Sequence, residues 1–223
     1  MRDLALAYLN QDYYSNYPLI KAIENGFKVI HADDSGVLLI DSERVFALLS
    51  AADPLKFHAL IPKPELMEVI GQTAGPLTQS HFGFENAMFC HQYYYPAKTV
   101  DSDLELEPAR LDDLGFIAQH YKLSDENELR ETIERGYLWV VRDEGQLFGF
   151  IGRHEDGSMG MMEILPEYRR QGWGERLERA LIKIVLSEGE LPYGHVIVGN
   201  EASARLQEKL GLIRCQELVT WFW

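Results

Sequence analysis

The sequence predicts a mixed α/β protein of 223 residues, built as two domains. Apolar runs of strand length alternate along the chain with amphipathic stretches of helix length. The composition, 46% hydrophobic and 25% charged residues, is typical of a globular protein. A polar stretch at 100–103 follows Pro96 and marks a boundary. We therefore expect a smaller α/β domain over residues 1–100 and a second domain over 101–223.

The first domain is predicted to run helix, helix, three strands, helix, strand. Helices are expected over 3–10 and 18–25, the second ended by Gly26. The turn sequence at 33–36 separates two apolar runs, which favours a strand meander. Pro62 suits a helix start and predicts a helix over Pro62–Ile70. The predicted strands are Phe27–His31, Gly36–Ile40, Val45–Leu49 and Glu85–Tyr95.

The second domain has clearer signals. Asp125 followed by Glu128 is typical of a helix start and predicts a helix over 126–135. The turn at 143–145 predicts a hairpin, and apolar residues at helical spacing predict a helix from Gly172 to Ser187. Further helices are expected at Pro108–His120 and Asn200–Leu210, the latter ended by Gly211. The predicted strands are Leu104–Leu106, Tyr137–Arg142, Leu147–Arg153, Met159–Leu165, Tyr193–Val198 and Leu212–Trp221.

Composition and charge exclude several function classes. A net charge of −14 argues against a nucleic-acid partner, which requires a basic surface. No run approaches the ~18 apolar residues of a membrane helix, and the N-terminus becomes polar too early for a signal peptide. Cys90 and Cys215 indicate free thiols in a reducing compartment. We expect a cytoplasmic protein without a membrane partner, and the oligomeric state stays open.

The histidines give no sign of a metal site. Their spacing relative to the two cysteines matches no zinc pattern, and Cys90 and His91 point to opposite faces of one strand. The sequence therefore predicts no metal.

One segment combines glycine and positive charge in the acidic chain. An apolar strand ends at Pro166, and a helix begins near Gly172 after a short loop. Unpaired N–H groups at a helix start attract anions, and glycine allows a diphosphate to approach the backbone. Neither a G-x-x-x-x-G-K-[ST] loop nor a dinucleotide fingerprint is present, since Leu177 stands where the third glycine would fall. A tight turn without a ligand is the plain alternative. Five basic residues lie in and after the loop: Arg169, Arg170, Arg176, Arg179 and Lys183.

Two motifs resemble the GCN5-related N-acetyltransferases (GNAT). Arg169-x-x-Gly172-x-Gly174, after a strand and before an amphipathic helix, is similar to the acyl-CoA loop of that family. The segment 200–212, beginning Asn200-Glu-Ala-Ser203, is similar to its helix after the fifth strand, and the run 191–196 resembles the glycine N-acyltransferase-like branch. The resemblance covers 101–223 and implies a mixed, splayed β-sheet flanked by helices. Residues 1–100 could be a degenerate copy of the same fold.

The resemblance also implies a set of residues for acetyl-CoA, the acyl donor. Backbone groups of Ile164 and Leu165 would pair with pantetheine, and one of their N–H groups would polarise the thioester carbonyl. Arg170 is favoured for the phosphates, because Arg169 could instead brace the loop. The remaining residues implied at the cofactor are Gln171, Gly172, Trp173, Gly174, Glu175, Asn200, Ser203 and Lys209.

The implied reaction is attack of a primary amine, from a small molecule or an amino acid, on the thioester. Glu163 is the candidate base, its alternative being an ordinary strand carboxylate that faces solvent or pairs with an arginine. The tyrosine usual in the family falls at Gln207, and an amide is no proton donor near neutral pH. Tyr168, Tyr193 or water would have to replace it. A noncatalytic acyl-CoA-binding or interaction module is therefore the alternative function.

Overall fold

The computed structural model describes residues 1–41, 46–61, 63–71 and 75–223. Its contacts divide the chain into two compact units that are discontinuous in sequence. The first unit comprises 1–93, 195–201 and 214–223, and the second comprises 94–194 and 202–213. The division into two domains, 1–100 and 101–223, each able to fold on its own, stays a prediction.

The first unit is a mixed sheet with helices against it. Its strands are β1 (Lys28–Asp33), β2 (Gly36–Asp41), β3 (Phe46–Ala51), β4 (Leu66–Ile70), β5 (Ala87–Tyr94) and the C-terminal β11 (Ile213–Phe222); its helices are α1 (Arg2–Leu9), α2 (Tyr17–Glu24) and α3 (Gly75–Phe82). In space the strands follow the order β1-β2-β3-β4-β11-β5. β3 and β4 are parallel, whereas β4 and β11 are antiparallel.

Both faces of this sheet carry apolar clusters. Leu39 and Leu48 pack with α1 and α2 on one face, and Leu38, Leu49 and Phe57 belong to the cluster on the other. β11 contributes to both clusters, through Val219 on the first and Phe222 on the second. The last strand of the chain is therefore part of the core of the first unit.

The second unit is also a mixed sheet between helices. Its strands are β6 (Glu107–Pro108), β7 (Leu138–Asp143), β8 (Gln146–Arg153), β9 (Met159–Ile164) and β10 (Tyr193–Ile197), whose last residues belong to the first unit; its helices are α4 (Leu114–His120), α5 (Glu126–Glu134), α6 (Trp173–Ser187) and α7 (Glu201–Leu210). β6 to β9 are successive antiparallel neighbours, and β9 and β10 are parallel. Apolar residues of α4 and α5 pack on β7, β8 and β9, and α6 also contacts β8 and β9.

Most predicted elements are confirmed, with boundaries shifted by one or two residues. The capping box is present, since Asp125 accepts hydrogen bonds from the N–H groups of Asn127 and Glu128. The predicted strand Val45–Leu49 is present from Phe46, whereas Val45 lies outside the described residues. Among the described residues, no helix is both long and apolar enough to cross a bilayer.

Three predicted elements are wrong. Pro62–Ile70 is not a helix, because Leu66–Ile70 forms strand β4; Pro62 lies outside the described residues. β4 is buried between β3 and β11, and such a short apolar run does not distinguish helix from strand. The strand expected at Leu104–Leu106 lies at Glu107–Pro108 instead. The helix expected from Pro108 starts only at Leu114, after a 3₁₀ turn at Leu111–Asp113.

Candidate functional site

Strand β9 is irregular in the middle. Its antiparallel register with β8 shifts between Phe150 and Gly152, and Met161 has a φ of 51°. A non-glycine residue in this left-handed region is strained, and such a bulge bends the strand. β9 pairs with β10 through a single parallel pair, Met159–Gly194. From Gly160 onward, the edge of β9 that faces away from β8 therefore has no strand partner among the described residues.

The end of β9 is held by Arg169. Its Nη2 donates to Oε1 of Glu163 at 2.7 Å, and its Nε donates to the carbonyl oxygen of Ile164 at 2.7 Å. The same Glu163 oxygen accepts the N–H of Ile164 at 3.2 Å. Glu163, the candidate base, is thus paired with an arginine, and Arg169 braces the loop against the strand.

Of the two predicted backbone positions, only Ile164 faces away from β8. The N–H of Leu165 donates to the carbonyl oxygen of Phe148 at 2.8 Å, which continues the β8 ladder. Among the described residues, the N–H and carbonyl of Ile164 make hydrogen bonds only with the side chains of Glu163 and Arg169 given above, and not with a neighbouring strand. An oxyanion contact from this strand end would therefore come from the N–H of Ile164.

The loop after β9 turns through two residues with positive φ. Pro166–Tyr168 forms one 3₁₀ turn, Arg170 has a φ of 61°, and Gly172 has a φ of 85°. Gly172 is the N-cap of α6, and no side chain caps this helix. The first N–H groups of α6 consequently have no partner within the helix and point out of its positive end.

The two glycines of the loop have different surroundings. At Gly172, a Cβ would meet no atom within 4 Å but would be strained by the positive φ, so the space beside this residue is open. At Gly174, a Cβ would make ordinary contacts of 3.6 Å with Leu206 and 3.8 Å with Ile164 and Met162. Packing therefore does not require a glycine at 174.

Aromatic rings pack the loop against strand β8. Tyr168 stacks on Phe148 with ring centroids 4.2 Å apart, and Trp173 packs its edge on the same ring at 4.8 Å. Arg176 lies over the Trp173 ring at 4.3 Å and also pairs with Asp103. These contacts fix the loop and the first turn of α6 on β8.

Neither tyrosine considered as the acid has a freely available proton. The hydroxyl of Tyr168 donates to Asp143 at 3.0 Å, and this hydrogen bond raises the pKa of Tyr168. The hydroxyl of Tyr193 is buried and donates to the carbonyl oxygen of Asp156 at 2.6 Å. Both hydroxyl protons are therefore held in other hydrogen bonds, so neither tyrosine is placed to act as the acid.

Most charged side chains around the start of α6 form an ion pair with an oppositely charged side chain. Glu175 accepts hydrogen bonds from Lys209 at 2.6 Å and from Arg179 at 3.1 Å, and these two cations, Lys209 first, lower its pKa. Arg169 and Arg176 are also paired, as described above. Arg170 is exposed and has no hydrogen-bond or ion-pair partner in the described part of the chain, which leaves its guanidinium available to an anion.

The other predicted cofactor residues lie at or near the loop and on α7. Gln171 is exposed and donates to the carbonyl oxygen of Glu167 at 2.8 Å. Lys209 contacts Glu175, so it reaches the first turn of α6. Ser203 is half-buried in the first turn of α7, and Asn200 is exposed immediately before that helix.

Sequence reasoning missed one pair at this site. Glu178 of α6 and Gln207 of α7 are both buried, and Nε2 of Gln207 donates to Oε1 of Glu178 at 2.6 Å. The sequence signal that could have indicated the pair is Glu178, which lies next to the apolar helix face formed by Leu177, Ala180 and Leu181.

Comparisons with known proteins agree with this geometry. The family model "FR47-like protein" matches residues 138–221, which include the loop and α7. A protein of the GNAT family from Novosphingobium aromaticivorans has a similar structure, with a TM-score of 0.58 and 18% identity over 92% of this chain and 94% of that one. An acetyltransferase of the GNAT family from Colwellia psychrerythraea gives 0.55 and 15%, over 97% and 96%. The chain has the GNAT fold.

Further comparisons add little about activity. A Drosophila protein shares this GNAT fold with a TM-score of 0.66 and 12% identity, over 99% of this chain and 94% of that one. Comparison with curated protein sequences gives no match. At these identities the solved structures establish the fold alone, so the reaction has to be argued from the site.

Proposed function

We propose that this GNAT-fold protein is an N-acyltransferase that transfers an acetyl group from acetyl-CoA to a primary amine of a small molecule or an amino acid. The observation that carries the proposal is the uncapped N-terminus of α6 beside the unpaired edge of β9. Residues 191–196 resemble the glycine N-acyltransferase-like branch, and this resemblance supports a small amine or an amino acid as the acceptor. The buried, free Cys90 and Cys215 support a reducing, cytoplasmic location.

The residues present fit a CoA diphosphate. The N–H groups at the start of α6 would donate to phosphate oxygens, and Arg170 would add a positive charge next to them. Gly172 leaves open space beside the backbone, and Glu175 is paired with Lys209 and Arg179, so it would not repel the phosphates. The pantetheine arm would pair with Ile164 at the open edge of β9.

The chemistry assigned to this chain is a direct transfer. The amine nitrogen attacks the thioester carbonyl carbon, a C–N bond forms, and the C–S bond breaks. The N–H of Ile164 would stabilise the negative charge that develops on the carbonyl oxygen. Glu163 would remove the proton of the ammonium group, directly or through water, once Arg169 shifts toward the bound anion.

The proposal is tested by titrating acetyl-CoA into the protein in a calorimeter and by following free thiol release across a panel of amines. Saturable binding below ~1 mM together with amine-dependent thiol release would support it. Absence of binding at ~1 mM would overturn it.

A noncatalytic acyl-CoA-binding module remains the second candidate. The pairing of Glu163 with Arg169 favours it, because the carboxylate oxygen Oε1 that could act as the base already accepts hydrogen bonds from the guanidinium and from the N–H of Ile164. Binding of acetyl-CoA without thiol release from any amine of the panel would select this candidate over the enzyme.

Glu163→Gln is expected to lower kcat about 100-fold while leaving the KM for acetyl-CoA unchanged, because it removes the proton acceptor but keeps the volume. Glu167→Gln, an exposed loop carboxylate four residues later, is the matched control and should retain full turnover. Steady-state kinetics with a good acceptor make the comparison. Unchanged turnover in Glu163→Gln would show that Glu163 is not the base.

A further inference from the structure

The contact between α6 and α7 contains a carboxyl group without a counter-charge. Glu178 is 5% exposed, and its hydrogen-bond partner is the Gln207 amide, a neutral group. Burying an ionised carboxylate without a cation is costly. Burial accordingly raises the pKa of Glu178 to about 7, and the hydrogen bond from Gln207 only partly opposes this.

Several cations of α6, α7 and the adjoining loop and strand are paired with carboxylates other than Glu178. In the described structure, none of them makes an ion pair with Glu178. The matched sets are Lys209 and Arg179 with Glu175, Arg169 with Glu163, and Arg153 of β8 with Glu188 and Glu190.

The amide of Gln207 is incompletely satisfied. Its Oε1 is buried and has no hydrogen-bond donor in the part of the chain that the structure describes, although its Nε2 donates to Glu178. An unmade hydrogen bond at a buried oxygen costs roughly 1–3 kcal/mol. A proton on the second oxygen of Glu178 would supply the missing donor, because a carboxylic acid and a carboxamide can exchange two hydrogen bonds face to face.

The pair lies close to the strand end where the transfer is proposed. A Cβ at position 174 would lie 3.6 Å from Leu206 of α7 and 3.8 Å from Met162 and Ile164 of β9, so this face of α6 is turned toward both elements. Glu178 follows Gly174 by one helical turn, about 6 Å along the axis, and Gln207 follows Leu206 directly. Glu178 therefore lies on the face of α6 that packs on α7 and, one turn earlier, on the end of β9.

We propose that Glu178 and Gln207 form a neutral acid–amide pair, and that this pair stores the proton that the leaving thiolate takes up. The inference rests on the proposed acyl transfer. When the C–S bond breaks, the sulfur keeps the electron pair and receives the proton of Glu178, directly or through water. The resulting carboxylate keeps its hydrogen bond from Gln207 and regains a proton from solvent. The attacking nitrogen loses two protons, one to Glu163 before the attack and one when the tetrahedral intermediate collapses. One of these balances the proton that Glu178 regains from solvent, and the other is released overall.

The charge state of the pair is measured without any turnover. Infrared difference spectra of the free protein at neutral pH, wild type minus Glu178→Gln, should contain the carbonyl band of a protonated carboxylic acid. The amide introduced by this substitution can still exchange two hydrogen bonds with Gln207, so the variant should fold. Absence of that band would overturn the inference and would leave the proposed acetyl-CoA function untouched.

Urea unfolding gives a second measurement that is independent of activity. A pKa raised above its unfolded value stabilises the fold at low pH, and this contribution is lost as pH rises through about 7. The unfolding midpoint of the wild type should therefore fall, relative to Glu178→Gln, between pH 5 and pH 8. Parallel curves for the two proteins would contradict a buried neutral acid.

Kinetics test the donor role. We expect Glu178→Gln to lower kcat about 100-fold at unchanged KM for acetyl-CoA, and to remove the alkaline limb of the kcat profile. Gln207→Leu removes the hydrogen bond that lowers the pKa of Glu178, so its alkaline limb should move to higher pH. If Glu178 had only a structural role, the alkaline limb of the kcat profile would be unchanged in both variants. Turnover within about twofold of wild type in Glu178→Gln would overturn the donor role, as would absence of thiol release from the wild type itself.

Discussion

Gly172→Glu is expected to weaken acetyl-CoA binding at least about 100-fold. The new carboxylate would stand at the N-cap of α6, where the structure leaves open space and no side chain caps the helix. Two like charges about 5 Å apart near a protein surface repel by roughly 3 kcal/mol, which corresponds to a factor of more than about 100 in affinity. The carboxylate would also accept the N–H groups that the diphosphate needs.

Calorimetric titration measures this loss, and Gly189→Glu provides the matched control. Gly189 follows α6, has a φ of 78°, and a Cβ there would meet no atom within 4 Å. The control therefore adds the same charge at a similarly strained and open position, at the other end of the helix. Equal affinities of the two variants would show that the loop does not hold the phosphates.

The loop could be located from sequence because its signals are local. A strand, a proline, two glycines and an amphipathic helix occur within about twenty residues, and each has its own conformational preference. The capping box of Asp125 and Glu128 was predictable for the same reason. By contrast, the bulge at Met161 depends on the register with β8, which nothing in the methionine-rich run encodes.

Features that depend on contacts between residues far apart in the chain could not be predicted from the sequence. The Glu178–Gln207 contact joins residues 29 positions apart on two helices, and nothing local in α7 indicates that Gln207 would be buried against a carboxyl group. β4 was predicted as a helix because Pro62 suits a helix start, whereas its pairing with β3 and β11 becomes visible only in the fold. The predicted roles of Asn200 and Ser203 depend on the bound cofactor and stay predictions.

The same long-range pairing bears on the predicted boundary near residue 100. In the first unit β11 lies between β4 and β5, with Val219 opposite Ile70 and Phe222 opposite Met67. A fragment of residues 1–100 would lack this inner strand. It would lose the ladder hydrogen bonds of β4 on that side and expose apolar side chains of both clusters.

We therefore expect the isolated fragment 1–100 to be unfolded. Full burial of a valine and a phenylalanine contributes roughly 2 kcal/mol each, and the lost ladder adds several hydrogen bonds, against a typical domain stability of about 5–15 kcal/mol. Circular dichroism and urea titration make the measurement. The matched control is the same fragment extended through a flexible linker by residues 214–223, which should regain cooperative unfolding. Cooperative unfolding of 1–100 without that strand would instead establish it as an independent domain, whose sheet does not need β11 between β4 and β5.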